Sequence, residues 1–402
     1  MKRISSGNMH YVRLFRPIKV LPRKGQQQQR LEVVLTITTD LGDAFLFPEE
    51  PVPLMVTFRC AQTGAEQDWP ASGSSDFQWK AGDRMLKPTV PLSPHLSRDY
   101  AAGRIIQVCI RPQSSKVTAV EARDVVPGAA SGSGLVMPAW VTLNKEDRRD
   151  VLTRKVEAGT PEKPMGLCID EGIGESIARH VWDAGVVTLS CVAAMASDPN
   201  LDAVEVTRGP CLEALRQTLV AQKPLNIMEL GCGVGILGLG LSSLLPTFHH
   251  RAQDCLVLMT DLDEARTQAE SNISHLLPGR TTPTVVPLSY ENLDWEDGRV
   301  GRFGPAVTAA GRWDLIVISD CTYNVDMLPA LVETLSALHA AGKGAEGGTK
   351  VFLATKPRHS SERALFDLMR EHTWNTLAKQ VIPLPVLGQE AETVELYLFQ
   401  KP

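Results

Sequence analysis

Residues 225–245 read LNIMELGCGVGILGLGLSSLL, and this stretch decides the fold class of the chain. The apolar run Leu225–Leu230 predicts a buried strand, and the apolar positions of Ile236–Leu245 predict a helix that follows it directly. Glycines occupy every second position from Gly231 to Gly235, in the turn between them. Glycine lets the backbone approach a ligand closely, and the N-terminus of a helix is electropositive. The stretch therefore predicts a ligand-binding turn at the edge of an α/β sheet.

Strands and helices alternate from about Gly166 to the end of the chain. Besides the strand before the glycine turn, the pattern predicts strands over Cys255–Thr260, Thr284–Leu288, Trp313–Ser319, Lys350–Thr355 and Thr393–Phe399. It predicts helices over Glu175–Ala196, Ile236–Leu245, Asp263–Leu276, Met327–Ala341 and Ser361–Glu371, with a proline-rich segment at Ile382–Leu387. Such alternation is typical of a doubly wound α/β sheet with helices on both faces.

The first 140 residues contain short strand-like runs separated by proline and glycine, without a convincing helical stripe. The runs are Tyr11–Leu14, Leu31–Thr38, Leu54–Arg59 and Arg104–Ile110, with a weaker one at Val117–Ala122. They predict a smaller N-terminal all-β domain, a sandwich or an open barrel. This domain carries no motif that indicates a chemical activity.

Two segments separate these patterns. Pro127–Gly134, with the sequence PGAASGSG, has the composition of a linker. Asn144–Glu157, with the sequence NKEDRRDVLTRKVE, predicts a charged connecting helix. We therefore divide the chain into a β-rich domain at 1–140, a linker with a connecting helix at 141–165, and an α/β domain at 166–402.

The composition excludes several classes of protein. The 402 residues are 43% hydrophobic and 22% charged, which fits a folded chain and not a disordered one. The chain has no uniform apolar span of about 20 residues, and its net charge of −5 argues against bulk nucleic-acid binding. Its eight cysteines form no C-x-x-C pair and no zinc-type spacing, so we expect core thiols in a reducing compartment and no metal site.

Positive charge is concentrated at the N-terminus. Residues 1–31 contain eight lysines and arginines, and no acidic residue precedes Glu32. Three interpretations of this basic segment stay open at this point. It is a mitochondrial targeting sequence, a contact for an acidic partner, or a solvated end without a specific function.

Two acidic residues favour one kind of ligand for the glycine turn. Glu229 lies two residues before the first glycine, where a carboxylate repels a pyrophosphate but attracts a cation. Asp261 closes the next predicted strand, where its carboxylate can accept hydrogen bonds from both ribose hydroxyls. S-adenosylmethionine, a nucleoside with a positive charge and no phosphate, satisfies both. The alternative is a nicotinamide dinucleotide on the pattern Gly233-x-Gly235-x-x-Gly238, which Glu229 disfavours.

From Gly166 to Lys401 the chain resembles the seven-stranded protein lysine methyltransferases of the methyltransferase-like twenty-one group. The resemblance rests on six motifs in order: VWDAG at 181–185, ELGCGVG at 229–235, TDL at 260–262, SNI at 271–273, LDW at 293–295 and WDLIVISDCTYN at 313–324. The Asp-x-x-Tyr pattern in the last motif is the most specific. The resemblance implies a seven-stranded Rossmann-like methyltransferase sheet, S-adenosyl-L-methionine as cofactor and a lysine-containing protein as substrate.

The resemblance also implies roles for individual residues. Together with Glu229, the residues implied to hold the cofactor are Trp182, Gly231, Cys232, Gly233, Gly235, Asp261, Trp295 and Ser319. Among them, Asp261 would hold the ribose, Trp295 would pack on or near the adenine, and Trp182 would close the pocket. Core packing is the alternative role for both tryptophans.

Asp320 and Tyr323 are the candidate catalytic residues. Enzymes that methylate amino groups of planar bases often carry two prolines between this acidic residue and the tyrosine, whereas this chain has Cys321 and Thr322. A slender amine such as lysine is therefore favoured. Since the pKa of lysine is ~10.4, removing its proton at pH 7 costs about 4.6 kcal/mol. Because a carboxylate favours the ammonium form, we expect Asp320 to capture and aim the amine, and Tyr323 to orient the amine or to line the lysine channel.

We expect an enzyme that methylates a protein lysine in the cytoplasm or nucleus. By resemblance, translation factors, ribosomal proteins and chaperones are the first candidate substrates, and we expect neither a membrane nor a nucleic acid as partner. A small-molecule N-methyltransferase and an inactive cofactor-binding subunit stay open as alternatives. The β-rich domain is a substrate-docking surface or a structural support. In the first case, deleting residues 1–140 would spare cofactor binding and weaken substrate methylation.

Overall fold

The computed structural model describes most of the chain. The described residues are 9–21, 29–71, 73–119, 122–125, 135–145, 150–160, 163–174, 179–197, 205–221, 223–249, 251–276, 286–342, 348–384 and 392–402. The predicted linker at Pro127–Gly134 lies outside them, as do residues 1–8 and 22–28 of the basic segment. Within the described part, no helix is long and apolar enough to cross a membrane.

The N-terminal part consists of short strands and two helices. Its strands are β1 (His10–Leu14), β2 (Lys19–Leu21), β3 (Arg30–Glu32), β4 (Leu35–Thr38), β5 (Val52–Cys60), β6 (Glu66–Trp69), β7 (Gln78–Trp79), β8 (Thr89–Pro91), β9 (Ile106–Pro112), β10 (Val136–Met137), β11 (Ala139–Leu143), β12 (Val151–Thr160) and β13 (Lys163–Gly172). Its helices are α1 (Pro94–Ala101) and α2 (Ala122–Val125). The pattern predicts no helix at α1, although Ser93 caps its first turn by accepting a hydrogen bond from Leu96 N.

These strands form three sheets. The largest has the order β13-β12-β11-β9-β5-β6, and β7 also pairs with β5. The smaller sheets have the orders β10-β1-β4 and β2-β3-β8. The single strand predicted over Leu31–Thr38 is therefore two strands in different sheets, because the chain leaves β3 at Val33 and enters β4 at Leu35.

Two predictions for this part are wrong. The described residues of Asn144–Glu157 form no helix, because Val151–Glu157 belong to β12, which pairs with β13 along its whole length. Leu152, Arg154 and Val156 of β12 are buried at every second position, and the charge of Arg154 at one of these positions hides the strand period in the sequence. The weak strand over Val117–Ala122 is replaced by a 3-10 turn, one β-bridge and the start of α2. The largest sheet thus continues across the predicted connecting helix.

The C-terminal part alternates strands and helices as predicted. Its strands are β14 (Asn226–Leu230), β15 (Leu256–Asp261), β16 (Leu288–Asn292), β17 (Leu315–Ser319), β18 (Lys350–Thr355), β19 (Asn375–Pro383) and β20 (Thr393–Gln400). Its helices are α3 (Asp183–Ser197), α4 (Pro210–Leu219), α5 (Ile236–Phe248), α6 (Asp263–Leu276), α7 (Trp295–Gly298), α8 (Pro305–Ala310), α9 (Leu328–Ala341) and α10 (Ala364–Glu371).

Several of these elements differ from the prediction, which did not include helices α4, α7 and α8. Helix α3 begins at Asp183 and not at Glu175, which lies outside the described residues. Strand β16 begins where the predicted strand over Thr284–Leu288 ends. Strand β19 was not predicted, because most of its side chains are exposed and its sequence shows no apolar alternation.

The C-terminal strands form one seven-stranded sheet in the order β16-β15-β14-β17-β18-β20-β19. Strands β14 to β18 pair in parallel, whereas β20 is antiparallel to both of its neighbours. Since β15 and β17 flank β14 on opposite sides, the strand order reverses at β14. In open α/β sheets, ligands bind at this switch point, beyond the carboxyl ends of the strands. The predicted doubly wound seven-stranded sheet is confirmed.

The β-rich part shares a hydrophobic core with the C-terminal sheet. Met9 and Tyr11 of the N-terminal segment and Met137 of β10 belong to the same buried cluster as Ile227 of β14 and Leu237 of α5. A second cluster fills the interior of the β-rich part, and a third lies on the other face of the C-terminal sheet, beneath α9 and α10. Deleting residues 1–140 would therefore uncover apolar side chains of the remaining chain, so the deletion is not a clean test of substrate docking.

We predict that replacing Arg154 with alanine destabilises the protein by about 3–5 kcal/mol, because it leaves a buried carboxylate without its partner. The Arg154 guanidinium is inaccessible and donates two hydrogen bonds to Glu171 Oε1, at 2.9 and 2.6 Å, and one to Pro138 O at 2.8 Å. Denaturant unfolding measures this loss. As control, Arg59→Ala breaks an exposed ion pair with Glu66 and is expected to cost about 0–1 kcal/mol. Equal losses in both variants would contradict the prediction.

Candidate active site

A cavity of about 420 Å³ lies at the switch point of the C-terminal sheet, where β14, β15 and β17 end. Its volume is within the range of small-molecule sites. All of the predicted site residues except Gly235 line it, namely Trp182, Glu229, Gly231, Cys232, Gly233, Asp261, Trp295, Ser319, Asp320 and Tyr323. The structure therefore brings together residues that are separated by up to about 140 positions in the sequence.

The glycine turn forms one wall of the cavity. Gly231 has a φ of +66°, and a Cβ atom at this position would lie 2.4 Å from Cys321 Sγ, which is too close for any side chain. Gly235 has a different role from the one predicted. It precedes α5, and a Cβ atom there would lie 2.5 Å from Met259 Cε, behind the cavity. Gly235 thus permits the packing of α5 on β15 and does not line the site.

Glu229 ties the end of β14 to the first turn of α5. Its Oε2 atom accepts a hydrogen bond from Gly238 N at 2.8 Å, and the side chain is almost completely buried. Burial raises the pKa of Glu229 to about 8. In the protein alone this carboxyl group is therefore mostly neutral at pH 7, and a bound cation nearby would favour its ionised form.

We predict that this carboxyl group makes the protein less stable as the pH rises. Because the folded-state pKa lies above the usual value, the folded form binds the Glu229 proton more tightly than the unfolded chain. The free energy of unfolding then falls by up to about 1.4 kcal/mol per pH unit between roughly pH 5 and 8 from this group alone. Glu229→Gln, which keeps an acceptor for Gly238 N, should reduce that slope. Urea unfolding of both proteins from pH 5 to 8.5 measures it, and parallel curves would contradict the assignment.

Asp261 holds the glycine turn from the neighbouring strand. Its Oδ2 atom accepts a hydrogen bond from Gly233 N at 2.7 Å, and its Oδ1 atom accepts one from Leu262 N at 2.7 Å. Burial raises the pKa of Asp261, and both hydrogen bonds oppose this effect. Since a carboxylate has about four acceptor positions, the side chain retains lone pairs for the hydroxyls of a ribose.

The two predicted tryptophans both line the cavity but have different neighbours. Trp295 begins α7, and its Cζ2 atom lies 3.4 Å from where a Cβ atom on Gly231 would stand. Trp182 precedes α3, and the guanidinium of Arg358 lies 5.0 Å from the centre of its ring. Both side chains are partly exposed and line the cavity, so neither is an ordinary core residue.

The segment from Ser319 to Tyr323 is held at the edge of the sheet by the side chains of Cys321 and Thr322. Thr322 Oγ1 donates a hydrogen bond to Glu362 Oε2 at 2.6 Å, in the interior of the protein. Cys321 Sγ is buried next to the carbonyl of Ser319 at 3.1 Å, and burial raises the pKa of its thiol well above the usual value. With both intervening side chains directed inward, Tyr323 is 54% exposed at the cavity.

Asp320 is the most constrained residue of the site. It has a φ of +52°, which is unusual for a residue other than glycine, and only 6% of it is exposed. Its Oδ2 atom accepts a hydrogen bond from Ala184 N at 2.8 Å. Its Oδ1 atom accepts from Lys356 N at 3.1 Å and from Arg358 Nη1 at 2.9 Å. The first turn of α3 and the end of β18 therefore fix the position of the carboxylate.

Sequence reasoning missed most of the charged surroundings of Asp320. Lys356 and Arg358 follow β18 in the segment Lys-Pro-Arg-His, and no sequence motif assigned a role to either of them. His359 is exposed, caps the following turn through Ser361 and does not line the cavity. The signal for the two cations was their position directly after a strand that ends at the switch point.

The cavity fits S-adenosylmethionine. Any side chain at position 231 would collide with Cys321. The glycine therefore leaves the backbone of this wall open to close approach by a ligand. Asp261 offers a carboxylate for hydroxyl groups, and Trp295 offers an aromatic surface beside the glycine turn. The acidic side chains Glu229 and Asp320 suit the positive charge of a sulfonium and an ammonium group.

Comparison with known proteins gives the following similarities. Residues 161–372 match the family described as lysine methyltransferase. A UPF0665 family protein of Schizosaccharomyces pombe is 23% identical over 98% of this chain and 99% of its own length. EEF1A lysine methyltransferase 3 of Xenopus tropicalis is 29% identical over 39% of this chain and 58% of its own length. A SAM-dependent methyltransferase of Agrobacterium tumefaciens, 12% identical, aligns with a TM-score of 0.37 over 62% of this chain and 77% of that chain.

Three features together define a class I S-adenosylmethionine-dependent methyltransferase. They are the strand order with its antiparallel strand β20, the glycine turn, and the acidic residue at the end of β15. The matched region covers more than half of the chain, and the chain belongs to the lysine methyltransferase family. The chain is therefore an enzyme that uses S-adenosyl-L-methionine to methylate protein lysine, as the sequence motifs predicted.

Proposed function

We propose that this enzyme methylates a lysine in a protein of the translation machinery or in a chaperone, in the cytoplasm or nucleus. The amphibian relative with the name EEF1A lysine methyltransferase 3 supports a substrate from translation. All eight cysteines are free thiols, which supports a reducing compartment. The observation that carries the catalytic assignment is the placement of Asp320 and Tyr323 in one cavity with the glycine turn and Asp261.

The residues that would hold the cofactor lie on one side of this cavity. The backbone of Gly231, Cys232 and Gly233 would contact it, Asp261 would accept hydrogen bonds from the ribose hydroxyls, and Trp295 would pack near the adenine. When bound, S-adenosylmethionine supplies a methyl group on a positively charged sulfur, so the site needs neither a metal nor a further activator.

Asp320 and Tyr323 would hold the lysine, and both line the same cavity. Among the described residues, Asp320 Oδ2 accepts one hydrogen bond, from Ala184 N, and retains a lone pair for the ammonium group. The carboxylate would capture and aim the side chain, while Tyr323 at the cavity mouth would line its path. Proton loss from the lysine is made easier by the partial burial of the amine, which disfavours the charged form. Most of the rate enhancement then comes from positioning.

Radiolabelled methyl transfer into cell extract tests this proposal. The full chain and its Asp320→Ala variant are incubated with extract and tritiated S-adenosylmethionine, and the labelled bands are hydrolysed to identify methyl-lysine. A labelled band that requires Asp320 and that mass spectrometry assigns to a translation protein or a chaperone supports the proposal. A band from another class of protein overturns the substrate assignment, and binding of S-adenosylhomocysteine without any band favours a small-molecule substrate.

A further inference from the structure

A group of five mostly buried charged residues extends from the wall of the candidate active site, where Asp320 lines the cavity, into the interior behind it. These residues, which we name the charge cluster, are Asp40, Asp183, Asp320, Lys356 and Arg358. Asp40 follows β4 in the β-rich part, Asp183 begins α3, Asp320 follows β17, and the two cations follow β18. Asp40 is 1% exposed and Asp183 is inaccessible, so the cluster is shielded from water and its contacts are strong.

Arg358 joins Asp40 to Asp320 directly. Its Nη2 atom donates a hydrogen bond to Asp40 Oδ2 at 2.6 Å, and its Nη1 atom donates one to Asp320 Oδ1 at 2.9 Å. Because the guanidinium is planar and its donors are fixed relative to one another, the position of one carboxylate constrains the other. The same guanidinium lies over the ring of Trp182, which lines the cavity.

A second connection runs from Asp40 through the start of α3. Asp40 Oδ2 accepts a hydrogen bond from Asp183 N at 3.1 Å, and Ala184 N, one residue later, donates to Asp320 Oδ2. Lys356 Nζ also bridges Asp40 Oδ1, at 3.3 Å, and Asp183 Oδ2, at 2.8 Å. Asp320 Oδ1 is thus held by Arg358, which Asp40 contacts directly, and Asp320 Oδ2 is held by Ala184, the neighbour of a residue that Asp40 contacts.

Asp40 is itself held firmly in place by the β-rich part of the chain. Its Oδ1 atom accepts a hydrogen bond from Leu41 N at 2.9 Å, and its carbonyl accepts one from Arg13 of β1. Tyr11 of β1 donates a hydrogen bond to Asp183 Oδ1 at 2.6 Å. Asp40 does not line the cavity, so it acts on the site only through other residues.

The charge balance explains why each member matters. Three carboxylates of the cluster face two cations, and Lys356 also forms an ion pair with the more exposed Glu392. Burial, followed by the charge of Asp40, raises the pKa of Asp183 to about 7. Removing the charge of Asp40 leaves Lys356 with Asp183 and Glu392, and it leaves Arg358 with one carboxylate, Asp320, in place of the two that fix its plane. The carboxylate of Asp320 would lose its fixed orientation even though Asp320 itself is not mutated.

We propose that Asp40 is a positioning residue of the methyltransferase site. Through Arg358 and the first turn of α3, it fixes the orientation of the Asp320 carboxylate and of Trp182. The β-rich part thereby contributes to methyl transfer without contacting the cavity, in addition to any role in substrate docking. The inference rests on the proposed function, because the group that Asp40 positions is the proposed amine-binding carboxylate.

The experiment compares the full chain with Asp40→Asn and Arg358→Lys, alone and together. Asp40→Asn keeps the shape of the side chain but removes its charge. Arg358→Lys keeps the positive charge but replaces the planar guanidinium with a single nitrogen, which cannot hold both carboxylates in a fixed geometry. Asp43→Asn is the matched control, because Asp43 is an exposed acid of the same loop that only bonds Thr39. The rate of tritiated methyl incorporation is measured over a dilution series of cell extract, with S-adenosylhomocysteine affinity by calorimetry.

We expect Asp40→Asn to lower the maximal rate by about 10- to 100-fold, because misplacement of a reacting group has this effect. The extract concentration at half-maximal rate and the S-adenosylhomocysteine affinity should stay within about threefold of the wild-type values. Arg358→Lys should have a similar effect, and the double variant should be no worse than either single variant, because both break one connection. Asp43→Asn should match the wild type. If Asp40→Asn does not fold, Arg358→Lys carries the rate test.

Three results would overturn the inference: an unchanged maximal rate, a rise only in the half-saturating extract concentration, or single effects that multiply in the double variant. If the wild-type enzyme labels no protein at all, this result contradicts the proposed function and does not test the role of Asp40. Hydrogen exchange then decides the inference separately, since Ala184 N and Lys356 N both donate to Asp320. Faster exchange of these two amides in Asp40→Asn supports positioning, and unchanged exchange overturns it.

Discussion

Gly231→Ala is expected to abolish cofactor binding while the protein remains folded. The residue has a φ of +66°, which is strained for alanine, and the new methyl group would stand 2.4 Å from Cys321 Sγ. The sulfur cannot retreat, because it is buried against the carbonyls of Leu230, Gly231 and Ser319. Strain and overpacking of about 1–3 kcal/mol each would displace the turn into the cavity. Calorimetric titration with S-adenosylhomocysteine should show at least about a 30-fold loss of affinity.

A matched control separates the contact from the backbone strain. Gly301 has a φ of +74°, but a Cβ atom there meets nothing within 4 Å. Gly301→Ala should therefore cost a little stability and leave cofactor affinity unchanged. Adding Cys321→Ala to Gly231→Ala removes the clashing sulfur and should restore part of the affinity. If Gly231→Ala binds S-adenosylhomocysteine as well as Gly301→Ala does, the glycine turn does not approach the cofactor as we infer.

The sequence predicted the cavity well because its walls are encoded locally. Gly231 and Gly233 directly follow the apolar strand β14, and Asp261 is the last residue of β15, so strand ends alone brought them to one edge of the sheet. Tyr323 could be placed for the same reason. The resemblance then supplied roles for these positions, and the family match bears out the class of reaction.

The charge cluster could not be predicted in the same way. Asp40 and Asp183 belong to segments that are about 140 residues apart. Asp40 lies in no motif, and Asp183 lies in the VWDAG motif but received no role from the resemblance. Their proximity depends on how the β-rich part packs on α3, which no local pattern encodes. The wrong helix at Asn144–Glu157 has a related cause. The charges of β12 include Arg154, whose side chain is buried beside Glu171. Because arginine is charged, the sequence pattern at this position is typical of an exposed residue.

Asp320→Asn is expected to lower the maximal rate of methyl transfer by about 100-fold or more, with little change in cofactor affinity. An asparagine keeps one acceptor oxygen, but its amide nitrogen would face a donor, either Ala184 N or Arg358. The side chain would then lose one of its fixed contacts and the charge that attracts an ammonium group. Rates at saturating S-adenosylmethionine, with S-adenosylhomocysteine affinity by calorimetry, measure both effects.

The stability of the Asp320 variants distinguishes a structural loss from a catalytic one. Asp320→Ala leaves the buried Arg358 without one of its carboxylates and should cost about 3–5 kcal/mol of unfolding free energy, whereas Asp320→Asn should cost less. Glu291→Gln is the matched control, because Glu291 accepts hydrogen bonds from Ala306 N and Val307 N at the start of α8 and does not line the cavity. If Asp320→Asn retained the wild-type rate, the carboxylate would hold α3 and β18 together but would not capture the amine, and Tyr323 would be left as the residue that orients the lysine.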